Sequence, residues 1–250
     1  VGLRVQQVAP GLRYVFGANV SSNTFVLDTP AGAVIVDTSR PPASRAHFNL
    51  LTADGVDKVA YIVITHGHGD HTGGIALWKQ GDAKVVAHDS LPEFLGYQRM
   101  LNGFYSRRNA AQFQFAGGGG AAAPTNQAMM AAAAQQSVFT PDIMFDKELT
   151  LDAGGVKLEL MHTPGETPDH ISLWVPHLKA VFVGDNFYES FPNMYTLRGT
   201  RPRWPLDYIA SIEKVLALEP DYLLPSHGPP VVGNAEIRRQ LTKYRDAIVY

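Results

Sequence analysis

Between Val59 and Gly74 the chain reads VAYIVITHGHGDHTGG, an apolar run that passes without a break into a loop holding four Gly and three His. The run suits a strand buried on both faces, and such a strand needs a covering layer above and below it. Around it, Leu12 to Phe16, Asn23 to Asp28 and Ala33 to Asp37 read as short strands separated by Gly, Pro and Asn, so the chain opens like a β-meander. Val85 to Ala87, Val156 to Met161, Ile171 to Val175, Ala180 to Val183 and Tyr222 to Leu224 repeat the strand pattern. Helices are expected near Pro42 to Leu51, Leu206 to Leu218 and Ala235 to Tyr250. The alternation makes the class α/β.

A layered α/β unit can occupy all 250 residues, so a single domain over 1–250 is expected. Its one interruption is Ala116 to Ala134, AGGGGAAAPTNQAMMAAAA, read as a flexible Gly- and Ala-rich insertion in which a long loop precedes a short helix. Lys and Arg number 21 against 23 Asp and Glu, and a net charge of -2 lacks the basic excess that nucleic acid demands. No apolar run reaches the roughly 18–20 residues of a membrane span, and no targeting peptide is visible. Because the sequence starts at Val1 rather than Met, an exported location is favoured over a cytoplasmic one. Cys is absent, which excludes a catalytic thiol, a disulfide framework and a thiolate metal site.

The loop places His66, His68, Asp70 and His71 within six residues at a strand end. Imidazoles and a carboxylate interleaved with Gly can converge on a cation as few other compositions can. One metal does not need so many ligands. His66 and His68 can point to one side while Asp70 and His71 point to the other, so two adjacent cations fit better. Such a site needs ligands from later in the chain, and three candidates lie beside Gly at strand ends: Glu166 in HTPGETPDH, Asp185 in AVFVGD and His227 in LLPSHGPP.

In this order and spacing the chain resembles the metallo-β-lactamase superfamily. The resemblance implies an αββα sandwich of two mixed sheets flanked by helices. It also implies a ligand set in which His66, His68 and Glu166 bind one metal, Asp70, His71 and His227 bind the other, and Asp185 bridges both with a hydroxide. Asp70 and Asp185 are then the catalytic carboxylates as well as ligands, and two divalent ions, zinc at the imidazole-rich positions, are the expected cofactors. The turn ligand of most such hydrolases is a second His in HTPGHT, where this chain has HTPGET. A Glu there looks like the alkyl sulfatases of the superfamily. NMYTLRGTRPR (Asn193 to Arg203), LNGFYSRRNA (Leu101 to Ala110) and GNAEIRRQLTKYRDAIVY (Gly233 to Tyr250) also resemble segments of those enzymes, the last one their linker into a dimerisation region. Two departures stand beside this: those sulfatases carry Glu rather than Asp at the bridging position, and they continue far beyond this length.

The implied activity is hydrolysis of an alkyl sulfate ester by water whose pKa two cations bring from about 15.7 to near 7. Glu166 adds a negative charge that repels an anionic substrate, and Arg198, with Arg107 or Arg108, is the expected counterweight because guanidinium forks match sulfate oxygens. By the same resemblance Tyr195 and Asn102 are substrate contacts. The implied partner is a small anionic amphiphile, and a homo-oligomer is left open. Alternatives are a lactonase, a thioesterase or another carboxylic ester hydrolase, with a β-lactamase or an iron redox or sensor protein ranked below. His170 is read as a partner of the ligands or an acid to the leaving group, His162 as packed at the turn, and His47, His88 and His177 as ordinary surface or satisfied residues. Phe104, Tyr105, Phe113 and Phe115 are read as core in preference to pocket.

Overall fold

The computed structural model describes residues 2–17, 21–41, 43–105, 107–108, 139–195 and 201–250. Seven strands form a first sheet in chain order: β1 (Arg4–Ala9), β2 (Leu12–Phe16), β3 (Phe25–Leu27), β4 (Ala33–Val36), β5 (Val59–Val63), β6 (Lys84–His88) and β7 (Ile143–Phe145). The first four pair antiparallel, and β4 through β7 run parallel. A second sheet holds β8 (Glu148–Asp152), β9 (Lys157–His162), β10 (Ile171–Val175), β11 (Ala180–Gly184), β12 (Tyr222–Pro225) and β13 (Val231–Val232), again as neighbours in sequence. Its pairs are antiparallel except β11 with β12.

Period-two side-chain alternation explains the layering. In β4, Val34 and Val36 turn toward Leu160, Leu173 and Phe182 of the second sheet, while Ile35 between them turns the other way, toward Leu51 and Trp78. Phe25 meets Phe182 edge to face at 5.4 Å across the interface. The outer face of the first sheet is covered by α1 (Ala43–Ala53) and, past the one-turn α2 (Gly69–Thr72) in the loop that follows β5, by the short α3 (Ile75–Trp78) and α4 (Leu91–Met100). On the outer face of the second sheet lie α5 (Pro205–Ala217) and α6 (Asn234–Val249), whose Tyr208, Ile212, Ile237 and Leu241 pack on Val181, Val183 and Leu223. The result is the expected four-layer αββα sandwich. Each fully buried Leu, Ile or Phe contributes about 1.5–3 kcal/mol relative to exposure, so all three apolar layers matter to stability.

The structure departs from the sequence reading in several places. β1, β7, β8, β13 and the helices α2, α3 and α4 were not anticipated, and the strand expected over Asn23 to Asp28 shrinks to Phe25–Leu27. Asn23 leaves the sheet because its side chain donates to the carbonyls of Pro225 (2.9 Å) and Gly228 (2.7 Å), tying the two sheets together. The Gly- and Ala-rich segment 116–134 lies outside the described residues. No helix among the described residues is long and apolar enough to cross a membrane.

Candidate metal centre

Every candidate ligand sits just beyond the end of a strand, along one rim of the sandwich. After β5 the chain turns through Thr65 and His66, and a backbone bond from Ile171 N–H to Thr65 O (2.8 Å) anchors this loop to the first residue of β10. Gly67 has no room for a side chain, since a Cβ would lie 2.9 Å from Leu91 and closer still to Phe94, against which His68 also packs. Gly67 N–H donates to Asp169 Oδ2 at 2.8 Å, so the turn before β10 holds the loop after β5. Gly184, with φ of +51°, reverses the chain at the end of β11 and delivers Asp185 to the same rim.

The seven candidates fall into two groups of converging donor atoms: His66, His68, Glu166 and Asp185 in one, and Asp70, His71 and His227 in the other. His66 Nε2 stands 2.9 Å from His68 Nδ1, and His68 Nδ1 is 3.6 Å from Glu166 Oε1. In the second group His227 Nε2 lies 3.4 Å from Asp70 Oδ2, and His71 Nε2 lies 3.7 Å from Asp70 Oδ1. Asp185 Oδ2 joins the groups, at 3.8 Å from His66, 3.5 Å from His71 and 3.4 Å from His227. Each group brings together the residues that the resemblance assigns to one metal, with Asp185 grouped with His66, His68 and Glu166.

Charge within the rim is strongly biased. Burial alone would keep His71 neutral, but the carboxylates of Asp185, Asp37 and Asp70 hold it well above the usual imidazole range. His227 is likewise pushed up to about 10, burial being outweighed by Asp185. Burial disfavours the Asp185 carboxylate, yet His71 and His227 draw it well below the usual range. His66 moves the other way, kept neutral first by burial and then by His71 and His68 beside it. The buried atoms His71 Nε2 and Asp185 Oδ1 have no hydrogen-bond partner among the described residues. Orphaned donors and acceptors of this kind are rare in folded proteins, and this nitrogen and oxygen set is chemically suited to hold a cation.

Some functional residues escaped the sequence reading. Asp37 ends β4 with a positive φ of 55° and no exposed surface, and its Oδ2 accepts from His71 Nδ1 (2.7 Å), Thr65 Oγ1 (2.8 Å) and Ser226 Oγ (2.6 Å). This fixes the His71 tautomer so that Nε2 faces the rim. An acid closing an apolar strand was the available signal. Arg203 forms a buried ion pair with Glu166, and both residues are only 7% exposed. Asn186 accepts from Glu166 N–H (2.9 Å) and donates to Thr163 O (2.7 Å), which locks the turn that carries Glu166.

The other sequence candidates are scattered. Arg198, expected to offset Glu166, lies outside the described residues; Arg203 forms an ion pair with Glu166. Arg107 and Arg108 are exposed, Arg108 lying over the Phe104 ring at 5.2 Å; Tyr195 is exposed and Asn102 half-buried. His170 is fully buried, with Nε2 accepting from Asp185 N–H (3.2 Å) and Nδ1 beside Thr163 Oγ1 (3.2 Å). Burial lowers its pKa to about 4, and its bond to Asp185 N–H makes it a partner of that ligand's backbone. His47 and His88 are buried and hydrogen-bonded, and His177 is exposed. His162 is half-buried, stacked on His88 at 3.9 Å, and its Nε2 donates to Pro168 O at 2.7 Å. Of the aromatic set read as core in preference to pocket, Tyr105 is buried and also lines a cavity beside His68; Phe113 and Phe115 lie outside the described residues.

Comparison with known proteins places these features in a family. A family model described as the metallo-beta-lactamase superfamily matches residues 17–227. The linear primary-alkylsulfatase of Pseudomonas sp. (strain ATCC 19151) is 28% identical over 239 residues, which is 90% of this chain and 45% of that protein. The beta-lactamase-like protein 2 homolog of Caenorhabditis elegans is 26% identical over 213 residues, 84% of this chain and 57% of that protein. The chain thus spans about half the length of these curated relatives. Among solved structures, the stereoselective inverting sec-alkylsulfatase Pisa1 from Pseudomonas sp. shares the fold with a TM-score of 0.81 at 24% identity, over 99% of this chain and 42% of that one. A metallo-beta-lactamase from Pontibacter korlensis gives a TM-score of 0.68 at 18% identity, over 99% of each chain.

Proposed function

The chain belongs to the metallo-β-lactamase superfamily, and from that premise we propose that it is a dinuclear metal-dependent hydrolase of alkyl sulfate esters. The observation that carries the substrate class is a cavity of about 350 Å³ opening beside His68 and Glu166. Phe94, Tyr97, Tyr105 and Trp204 give it an aromatic wall, and Arg201 stands over the Tyr97 ring at 4.6 Å. An aromatic wall next to guanidinium groups suits a molecule with an apolar tail and an anionic head. Similarity to the Pseudomonas alkylsulfatase supports the same reading.

His66, His68 and Glu166 would hold one cation, Asp70, His71 and His227 the other, and Asp185 both. When bound, two divalent cations, zinc by the imidazole content, polarise the ester and lower the pKa of water to near 7. The protein's own contribution is orientation and proton handling. Asp37 fixes His71, His170 fixes the backbone of Asp185, and Asn186 fixes the turn of Glu166. Asp70, the more exposed of the two carboxylates (side chain 29% against 10% for Asp185), would be the one to take a proton from the attacking water.

A lactone or thioester hydrolase is the second reading, favoured by the Asp at position 185, the commoner bridging residue of the superfamily. Incubating the metal-loaded protein with dodecyl sulfate, a lactone and a thioester separates the two. Release of inorganic sulfate is the expected result, and turnover confined to the carboxylic substrates would replace the sulfatase reading. Arg198→Leu is expected to cost about 2–5 kcal/mol of transition-state binding on an alkyl sulfate, the range for truncating a buried charge pair, with little effect on a neutral ester. Equal losses on both substrates would make Arg198 structural.

A further inference from the structure

We propose that Arg203 is a positioning residue that makes Glu166 usable as a metal ligand, so that the two side chains act together as one net-neutral donor. The proposal rests on the metal-site reading above and extends it to a residue that touches no cation. A carboxylate at position 166 gives the His66, His68, Glu166 and Asp185 group a second anion in a place where Glu166 is 7% exposed. Buried charge of one sign is costly unless it is paired. Arg203 supplies the pair: its Nη2 donates to Glu166 Oε1, and its own exposure is also 7%. The guanidinium is held from behind, with Nη1 3.4 Å from Tyr188 OH and the backbone N–H donating to Met194 O at 3.0 Å. Tyr188 OH accepts in turn from Asn193 N–H at 3.0 Å.

This arrangement has two physical effects. It cancels the extra negative charge locally, leaving the group with the charge it would have if position 166 carried a neutral imidazole. It also engages Oε1, the oxygen that lies 3.6 Å from His68 Nδ1, and so restrains rotation of the carboxylate. Arg suits this better than Lys because its planar fork can contact Glu166 and Tyr188 together.

The test is a double-variant cycle read by metal affinity, measured by competition with a chromophoric zinc chelator, with no substrate present. Arg203→Met is expected to weaken the tighter-bound zinc by about 10–100-fold, the usual cost of removing a group that orients a ligand. Glu166→His alone is also expected to weaken binding, because Arg203 then faces the cation without its carboxylate. The combined Glu166→His, Arg203→Met variant is expected to bind zinc more tightly than either single variant. Arg203→Lys, which keeps the charge and loses the fork, should fall between wild type and Arg203→Met. Circular dichroism monitors the fold, and if Arg203→Met does not fold, the combined variant and Arg203→Lys carry the comparison. Wild-type affinity in Arg203→Met, or a combined variant as weak as the sum of its parts, would overturn the proposal. Absence of zinc binding by the wild-type protein would instead overturn the metal-site reading beneath it. Because no substrate enters, the outcome is independent of whether the ester is a sulfate.

Discussion

Asp37 shows how much of the site depends on residues that would never meet a cation. It gathers three donors on one oxygen, from His71, Thr65 and Ser226, and so joins the ends of β4, β5 and β12 at one buried atom. Asp37→Ala should free the His71 ring and reduce zinc affinity by about 10–100-fold, and competition with a chelator would measure it. An unchanged affinity would show that packing alone orients His71. The seven candidate ligands could be read in the sequence because they are titratable residues in Gly-containing turns that follow apolar runs. Arg203 could not, because nothing in its own neighbourhood marks it, and Asp37 offered only its place at the end of an apolar strand. Their meaning comes from partners far away, Ser226 for Asp37 and Glu166 for Arg203.

Among the elements, legibility followed burial. β4, β10 and β11, buried along their whole length, were read almost to the residue, whereas β1 and β8 carry polar residues on exposed positions and were missed. Junctions are where single changes should cost most. At the end of β11, a Cβ on Gly184 would collide with His170 Nε2 and come within 2.9 Å of Thr65, in a backbone region that L-residues avoid. Gly184→Ala should therefore destabilise the fold by about 2–4 kcal/mol, combining left-handed strain with overpacking, and should lower bound metal because Asp185 follows directly. Urea unfolding and metal analysis on the same sample would test both parts. Helix α1 offers a pH probe outside the metal rim. Its His47 is fully buried against Thr24 Oγ1 (3.0 Å), and burial lowers the pKa to about 4 from an ordinary 6.5. With the folded pKa depressed, the unfolded chain binds more protons in this window. The stability His47 supports is present above pH 6.5 and is lost as pH falls through 4, up to ~3 kcal/mol. His47→Gln removes that titration, so the stability gap between wild type and variant should shift by this amount between pH 7 and pH 4. A constant gap would mean that His47 does not sense pH.

At the scale of the whole molecule, the candidate ligands come from both sheets: His66 to His71 follow β5 in the first, while Glu166, Asp185 and His227 hang from the second. Cations bound there would clasp the two halves in addition to the apolar layer between them. Chelation should accordingly lower the thermal midpoint on the order of 10 °C, for free metal near a thousandfold above Kd. Secondary and tertiary probes should melt together, and a melt in which only one sheet's signals shift would contradict the clasp. The same arrangement sets an order of events during synthesis. A chain still leaving the ribosome can complete β1 through β7 and expose its three loop histidines, but the first donor group waits for Asp185 and the second for His227. Cations that need both groups would therefore be held only once His227 has emerged, and a chain made without them would keep that rim unclasped.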